Sequence, residues 1–140
     1  MAARKSVEKT ISAELTSKIL RTVPVTEAFH FFTDIGKYDG KSAASLADFS
    51  ENLKAVQLKS IEFHFRRGDF ERWIREILGD EYLANGIGRI DKSVQGEALR
   101  TAIQRTVENR LYYLKQSKQR ERFTSKRKKQ KRKKKSLRTT

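Results

Sequence analysis

Apolar residues recur at helical spacing along this chain, and the recurrence breaks wherever a helix cannot pass. Val7, Ile11, Leu15 and Ile19 fall at every fourth residue, with Leu20 beside them, and predict an amphipathic helix over 6–20 with Ser6 as its N-cap. Pro24 ends that pattern, because it lacks an N–H and restricts Val23 before it. Phe29, Phe31 and Phe32 follow, then Gly36, Asp39 and Gly40, so this segment reads as irregular chain with weak strand character.

From Ser45 onward, short helices follow one another. Ser45 with Asp48 three residues on resembles a capping box built with a shorter acid, and Leu46, Phe49 and Leu53 share the face behind it. Leu58, Ile61 and Phe65 form a second stripe that stops at Gly68, a residue suited to the left-handed position after a helix. Asp69 is expected to cap the next helix, whose buried face is Phe70, Trp73, Ile74, Ile77 and Leu78. Gly79 and Asp80 repeat the stop and the cap before Tyr82, Leu83 and Ile87. A longer helix then starts near Glu97, with Leu99, Ile103, Val107, Leu111 and Leu114 on one side and Ala98 and Ala102 widening the stripe.

The predicted fold class is mainly α: a bundle of about five to six short helices and one longer C-terminal helix, followed by a disordered basic tail. The boundaries are 1–28 for the N-terminal helix and connector, 29–115 for the helical domain and 116–140 for the tail.

Charge separates the tail from the body more sharply than hydropathy does. The chain has 140 residues and a formal charge of +15, with 36% hydrophobic and 35% charged residues. Lys115–Thr140 holds 14 Lys or Arg against the single acid Glu121, a net +13; the remaining 18 basic and 16 acidic residues leave residues 1–114 at +2. A near-neutral body with a strongly basic extension points to a polyanionic partner for the extension.

The chain offers little to catalysis. It has no cysteine, which excludes disulfides, thiolate chemistry and cysteine-type zinc sites. His30 and His64 are the only histidines and form no i, i+4 pair, so no metal site and no catalytic residue is assigned, and no cofactor is expected. "GIGRI" fails the dinucleotide-binding pattern and lacks a preceding strand. No run of ~18 apolar residues is present to span a membrane, and the start does not read as a secretory signal. The "RGD" at 67–69 fits a helix boundary better than a cell-adhesion motif.

Within "FHFRRGDFERWIREILGD", helix punctuation and packing account for most residues. Arg66, Arg67, Arg72 and Arg75 fall within ten residues; Glu71 and Glu76 are expected to pair with Arg72 and Arg75, and the four arginines are secondary candidates for phosphate contact. His64 is the polar residue that helix punctuation does not require, and a bond to Asp69 or to a loop carbonyl is one use for it.

Residues 29–87 resemble an uncharacterised small domain family found mainly in archaea and some bacteria. The resemblance lies in an aromatic "FxF" opening, then "SLxxF", then "SIxFHxxRGDFxxWIRxxLGDxxLA". It is carried by Ser60, His64, Arg67, Gly68, Asp69, Phe70, Trp73, Ile74, Leu78, Gly79, Asp80, Leu83 and Ala84. It implies a mostly helical module and no reaction, and it extends neither to the tail nor to the first helix.

The function expected is therefore non-catalytic association with nucleic acid, RNA ahead of DNA, in the cytoplasm, through sequence-independent phosphate binding. Lys126, Arg127, Lys128, Lys129, Lys131, Arg132, Lys133, Lys134, Lys135 and Arg138 are the candidate contacts. A ribosomal or other RNA particle is the expected setting. The alternatives are a protein-interaction adaptor, or a chromatin-associated protein, with the tail as a general anchor. A membrane-surface role ranks lower, since no lipidation signal accompanies the basic run.

Overall fold

The structure is a computed structural model that describes residues 11–138, with the backbone alone from 121 onward. It is mainly helical with one two-stranded sheet. In chain order it contains α1 (Ala13–Leu20), a 3₁₀ turn (Val25–Glu27), β1 (Phe29–Asp34), β2 (Lys37–Ala43), α2 (Leu46–Ala55), α3 (Leu58–Arg67), α4 (Asp69–Trp73), a π-helical turn (Ile74–Leu78), α5 (Glu81–Gly88) and α6 (Gly96–Arg138).

The described part of the first helix begins later than its periodicity predicts. Ser12 caps it by accepting from the Leu15 N–H at 3.1 Å, while Ser6 and Val7 lie outside the described residues. Its inward face is Thr16 and Ile19, and Leu15 is 37% exposed, so the four-residue stripe slants off the buried face.

The segment expected to be irregular is a hairpin. Phe29 pairs with Ala43, His30 with Ser42, Phe32 with Tyr38 and Asp34 with Lys37, and the register shifts twice along the ladder. Phe29 and Phe31 point into the core between the half-buried His30 and Phe32, the period of a strand with one face covered. Lys37, Asp39 and Lys41 obscure the matching alternation in β2.

Four of the five predicted helix junctions behave as written. Ser45 accepts from the Asp48 N–H at 3.1 Å, and the Asp48 carboxylate reaches past Ser45 to the Ala44 N–H at 3.0 Å. Gly68 and Gly79 both take left-handed conformations, and Asp80 caps α5 through the Leu83 N–H at 3.2 Å. Asp69 is the exception. It is the first residue of α4, not its cap, and its carboxylate makes no cap bond, because three other side chains occupy it.

Gly68 ends α3 and opens α4 with φ +72°, and a Cβ built there meets nothing within 4 Å. Gly68→Ala therefore tests backbone strain alone. It is expected to lower unfolding free energy by about 1–2 kcal/mol, measured by urea denaturation, with no change in native spectra.

After α4 the chain widens by one residue into the π turn, where the Ile74 carbonyl accepts from both Gly79 and Asp80 N–H at 2.9 and 3.0 Å. This leaves the Ile77 carbonyl to accept from Arg21 at 2.8 Å, tying α1 to the turn.

The core is an aromatic cluster flanked by aliphatics. Phe29, Phe31, Phe49, Phe70 and Trp73 meet edge-on, tilted or stacked, with adjoining ring centres 4.8–6.3 Å apart. Each fully buried ring contributes roughly 1.5–3 kcal/mol. The Trp73 indole N–H donates to the Glu27 carbonyl at 2.8 Å, fixing the 3₁₀ turn against α4.

Helix α6 closes the fold through Leu99, Ile103, Val107 and Leu114, packing on α1, α2, α3 and α5. Arg100 donates to the Leu53 carbonyl at 2.6 Å, and the Glu62 carboxylate accepts the Gly96 N–H at 3.0 Å. Beyond Leu114 the helical backbone continues as far as Arg138, through the tail that the sequence predicts to be disordered. The physical reason lies in its composition. No glycine or proline follows Gly96, and lysine, arginine and glutamine are good helix formers, so no breaker interrupts the backbone there.

Candidate functional site

Three polar constellations stand out around this frame. The first is built on His64 (4% exposed), whose two ring nitrogens are both engaged. Nε2 accepts the Phe32 N–H at 2.8 Å, and Nδ1 lies 2.8 Å from Asp69 Oδ2. An acceptor at Nε2 places the proton on Nδ1, which donates to Asp69. The imidazole thus bridges β1 and the start of α4, and neither nitrogen is open to a substrate. The expected link to Asp69 is present, and the other partner is a strand N–H.

Burial holds the His64 pKa below its ordinary value, against the opposing pull of Asp69. The sign follows from linkage: the unfolded ring takes a proton near pH 6.5 while the folded ring refuses it, so stability is complete above that pH and declines as pH falls below it. His64→Gln, whose amide can replace both bonds without titrating, is expected to lose this component. Urea unfolding at pH 7.5 and 5.5 measures it as the difference between wild type and variant, and equal pH slopes would refute a neutral, buried His64.

The same Asp69 accepts from Arg67 Nε and from an Arg72 terminal nitrogen, each at 3.1 Å. The arginine and aspartate of "RGD" therefore face each other. Arg75 is held by Glu81 at 3.0 Å and Asn85 at 2.9 Å, and Arg72 by Asp69, so neither arginine takes the Glu71 or Glu76 partner expected for it. Arg66 is exposed on the last turn of α3. Of the four arginines, the structure gathers Arg67 and Arg72 around one carboxylate that offsets part of their charge.

The second constellation is an ion pair at the centre of the α5–α6 contact. Asp80 (side chain 1% exposed) accepts from Arg110 Nε at 2.8 Å and from a terminal nitrogen at 3.0 Å. The Arg110 guanidinium also lies 4.6 Å from the Tyr82 ring centre and 5.3 Å from that of Tyr113. These groups line a cleft of about 920 Å³. Tyr82, placed by periodicity among the apolar members of α5, is 64% exposed. Nothing in the local pattern signals that Asp80 meets a residue 30 positions away.

The third is the basic run. Lys115, Lys118 and Arg120 follow closely on Leu114, the last buried residue of α6 among those whose side chains are described. The predicted contacts Lys126, Arg127, Lys128, Lys129, Lys131, Arg132, Lys133, Lys134, Lys135 and Arg138 fall on helical backbone, and their side chains lie outside the described residues. At 1.5 Å per residue, the helix from Lys115 to Arg138 is about 36 Å long. Among the described residues, no helix is long and apolar enough to cross a membrane.

No curated protein and no solved structure matches the chain. A family model described as a family of unknown function (DUF5752) matches residues 2–108, which takes in the hairpin, the helices α1–α5 and the first turns of α6 but not the basic run, and the chain belongs to that family.

Proposed function

We propose that the protein is a non-catalytic, RNA-associated protein that holds phosphates along its basic C-terminal helix. The observation that carries this reading is the net +13 over residues 115–140 beside a body of only +2. Lysine side chains attract phosphates as point charges and release the counterions condensed on them, so binding is sequence-blind and strongly salt-dependent. A helical backbone supports the reading because it spaces the cations regularly along one rod. The body contributes presentation: α6 is anchored through four buried residues, Leu99, Ile103, Val107 and Leu114, and its backbone carries on into the basic run. RNA is favoured over DNA because a small near-neutral body with a long basic extension suits a crowded, folded RNA particle in the cytoplasm.

The test is a full-length chain in which Lys126, Lys128, Lys129, Lys131, Lys133, Lys134 and Lys135 are replaced by Gln, which keeps helix propensity and removes charge. Filter binding to RNA at 50 mM salt is expected to fall steeply relative to wild type. Undiminished binding would overturn the proposal.

A further inference from the structure

The cleft between α1, α5 and α6 joins an exposed aromatic ring to a largely buried arginine that a carboxylate holds in place. Arg110 lies 4.6 Å from the Tyr82 ring centre, and Tyr82 itself is 64% exposed. Arg110 is fixed by its two bonds to buried Asp80, so the platform beneath Tyr82 is set before anything binds. Tyr113 rests on the same guanidinium, and exposed Arg89 and Asn109 border the opening. Among the described residues lining the cleft, the one exposed acid, Glu81, is paired with Arg75 at 3.0 Å.

An aromatic ring backed by a cation stacks well on a nucleobase, because stacking and cation–π attraction both act through the ring face. A rim arginine suits the adjoining phosphate, and an amide suits a base edge. The basic run meets the same face of α6 at exposed Arg120, seven residues past Tyr113, within about 20° of it around the axis and about 10.5 Å along it. A strand held at Arg120 on that face would run toward Tyr113 and the Tyr82 ring.

We propose that this cleft receives an unpaired base of a single-stranded nucleic acid whose phosphates continue onto the basic helix, an inference that rests on the polyanion reading above. Only an unpaired, unstacked base presents a free face, so the cleft adds a preference for single strands to an otherwise indifferent electrostatic grip.

The experiment uses full-length protein, a mixed-sequence RNA oligonucleotide carrying 2-aminopurine, and an RNA duplex of equal length. Tyr82→Ala is expected to weaken single-strand binding about tenfold and leave duplex binding unchanged. Tyr82→Phe is expected to restore it, since the ring and not the hydroxyl stacks. Quenching of 2-aminopurine on binding is expected in wild type and lost in Tyr82→Ala. The inference falls if Tyr82→Ala binds single strands as well as wild type while the lysine-to-glutamine chain does not; that result leaves the polyanion reading intact. Equal weakening on single strand and duplex also overturns it. Wild type that binds neither nucleic acid would remove both readings together.

Discussion

An Arg110→Met chain is expected to lose roughly 3–5 kcal/mol of unfolding free energy, the usual cost of leaving one member of a buried ion pair without its partner. The Asp80 side chain is 1% exposed, and Arg110 at 10% supplies two of its hydrogen bonds. Without Arg110 the carboxylate keeps only the Leu83 N–H, and it must either stay charged in a dry site or take up a proton. Both routes cost stability. The double variant Asp80→Asn with Arg110→Met separates the causes, since asparagine caps a helix about as well as aspartate and carries no charge. Urea denaturation should show the double variant more stable than Arg110→Met alone. A loss under about 1 kcal/mol for Arg110→Met would mean that water reaches Asp80, and the buried-pair argument would fail.

The second large effect concerns salt. For single-stranded nucleic acid, log affinity falls with log salt by about 0.7 per neutralised phosphate. If each of the seven lysines replaced by glutamine meets one phosphate, the slope should become shallower by about 5, from 7 × 0.7. Over a fourfold rise from 50 to 200 mM salt, that difference corresponds to about a thousandfold in affinity, since 4 raised to the fifth power is about 1000. Wild type should therefore bind tightly at low salt and release near physiological salt, while the variant binds more weakly and with a shallower salt dependence, since seven cations remain in 115–140. Identical slopes would place the phosphate contacts elsewhere on the chain.

Much of the helical body is legible in the sequence because its signals are local. As helix stops and caps, Ser45, Gly68, Gly79 and Asp80 each act within a few residues of themselves, and of the stripe Leu99, Ile103, Val107, Leu111 and Leu114 all but the partly buried Leu111 are buried. The hairpin was harder to read because β2 is polar and only β1 shows the two-residue period. Asp69 misleads for a different reason. Its position suits a cap, but His64, Arg67 and Arg72 compete for the same two oxygens, and that competition exists only after folding.

The candidate site divides along the same line. The basic run is visible as composition alone. The setting of the exposed Tyr82 ring is not, because it depends on Arg110 and Tyr113 arriving from a helix about thirty residues later.

Helix α6 joins the core to the basic run with no glycine or proline after Gly96, so no swivel separates the two. Whatever grips the lysines also sets the azimuth of the body around the rod, with each residue turning it by about 100°. Inserting one residue after Leu114 would swing the hairpin and the Tyr82 cleft a quarter-turn or more out of phase, whereas inserting seven would nearly restore the original heading while moving the body about 10 Å further off.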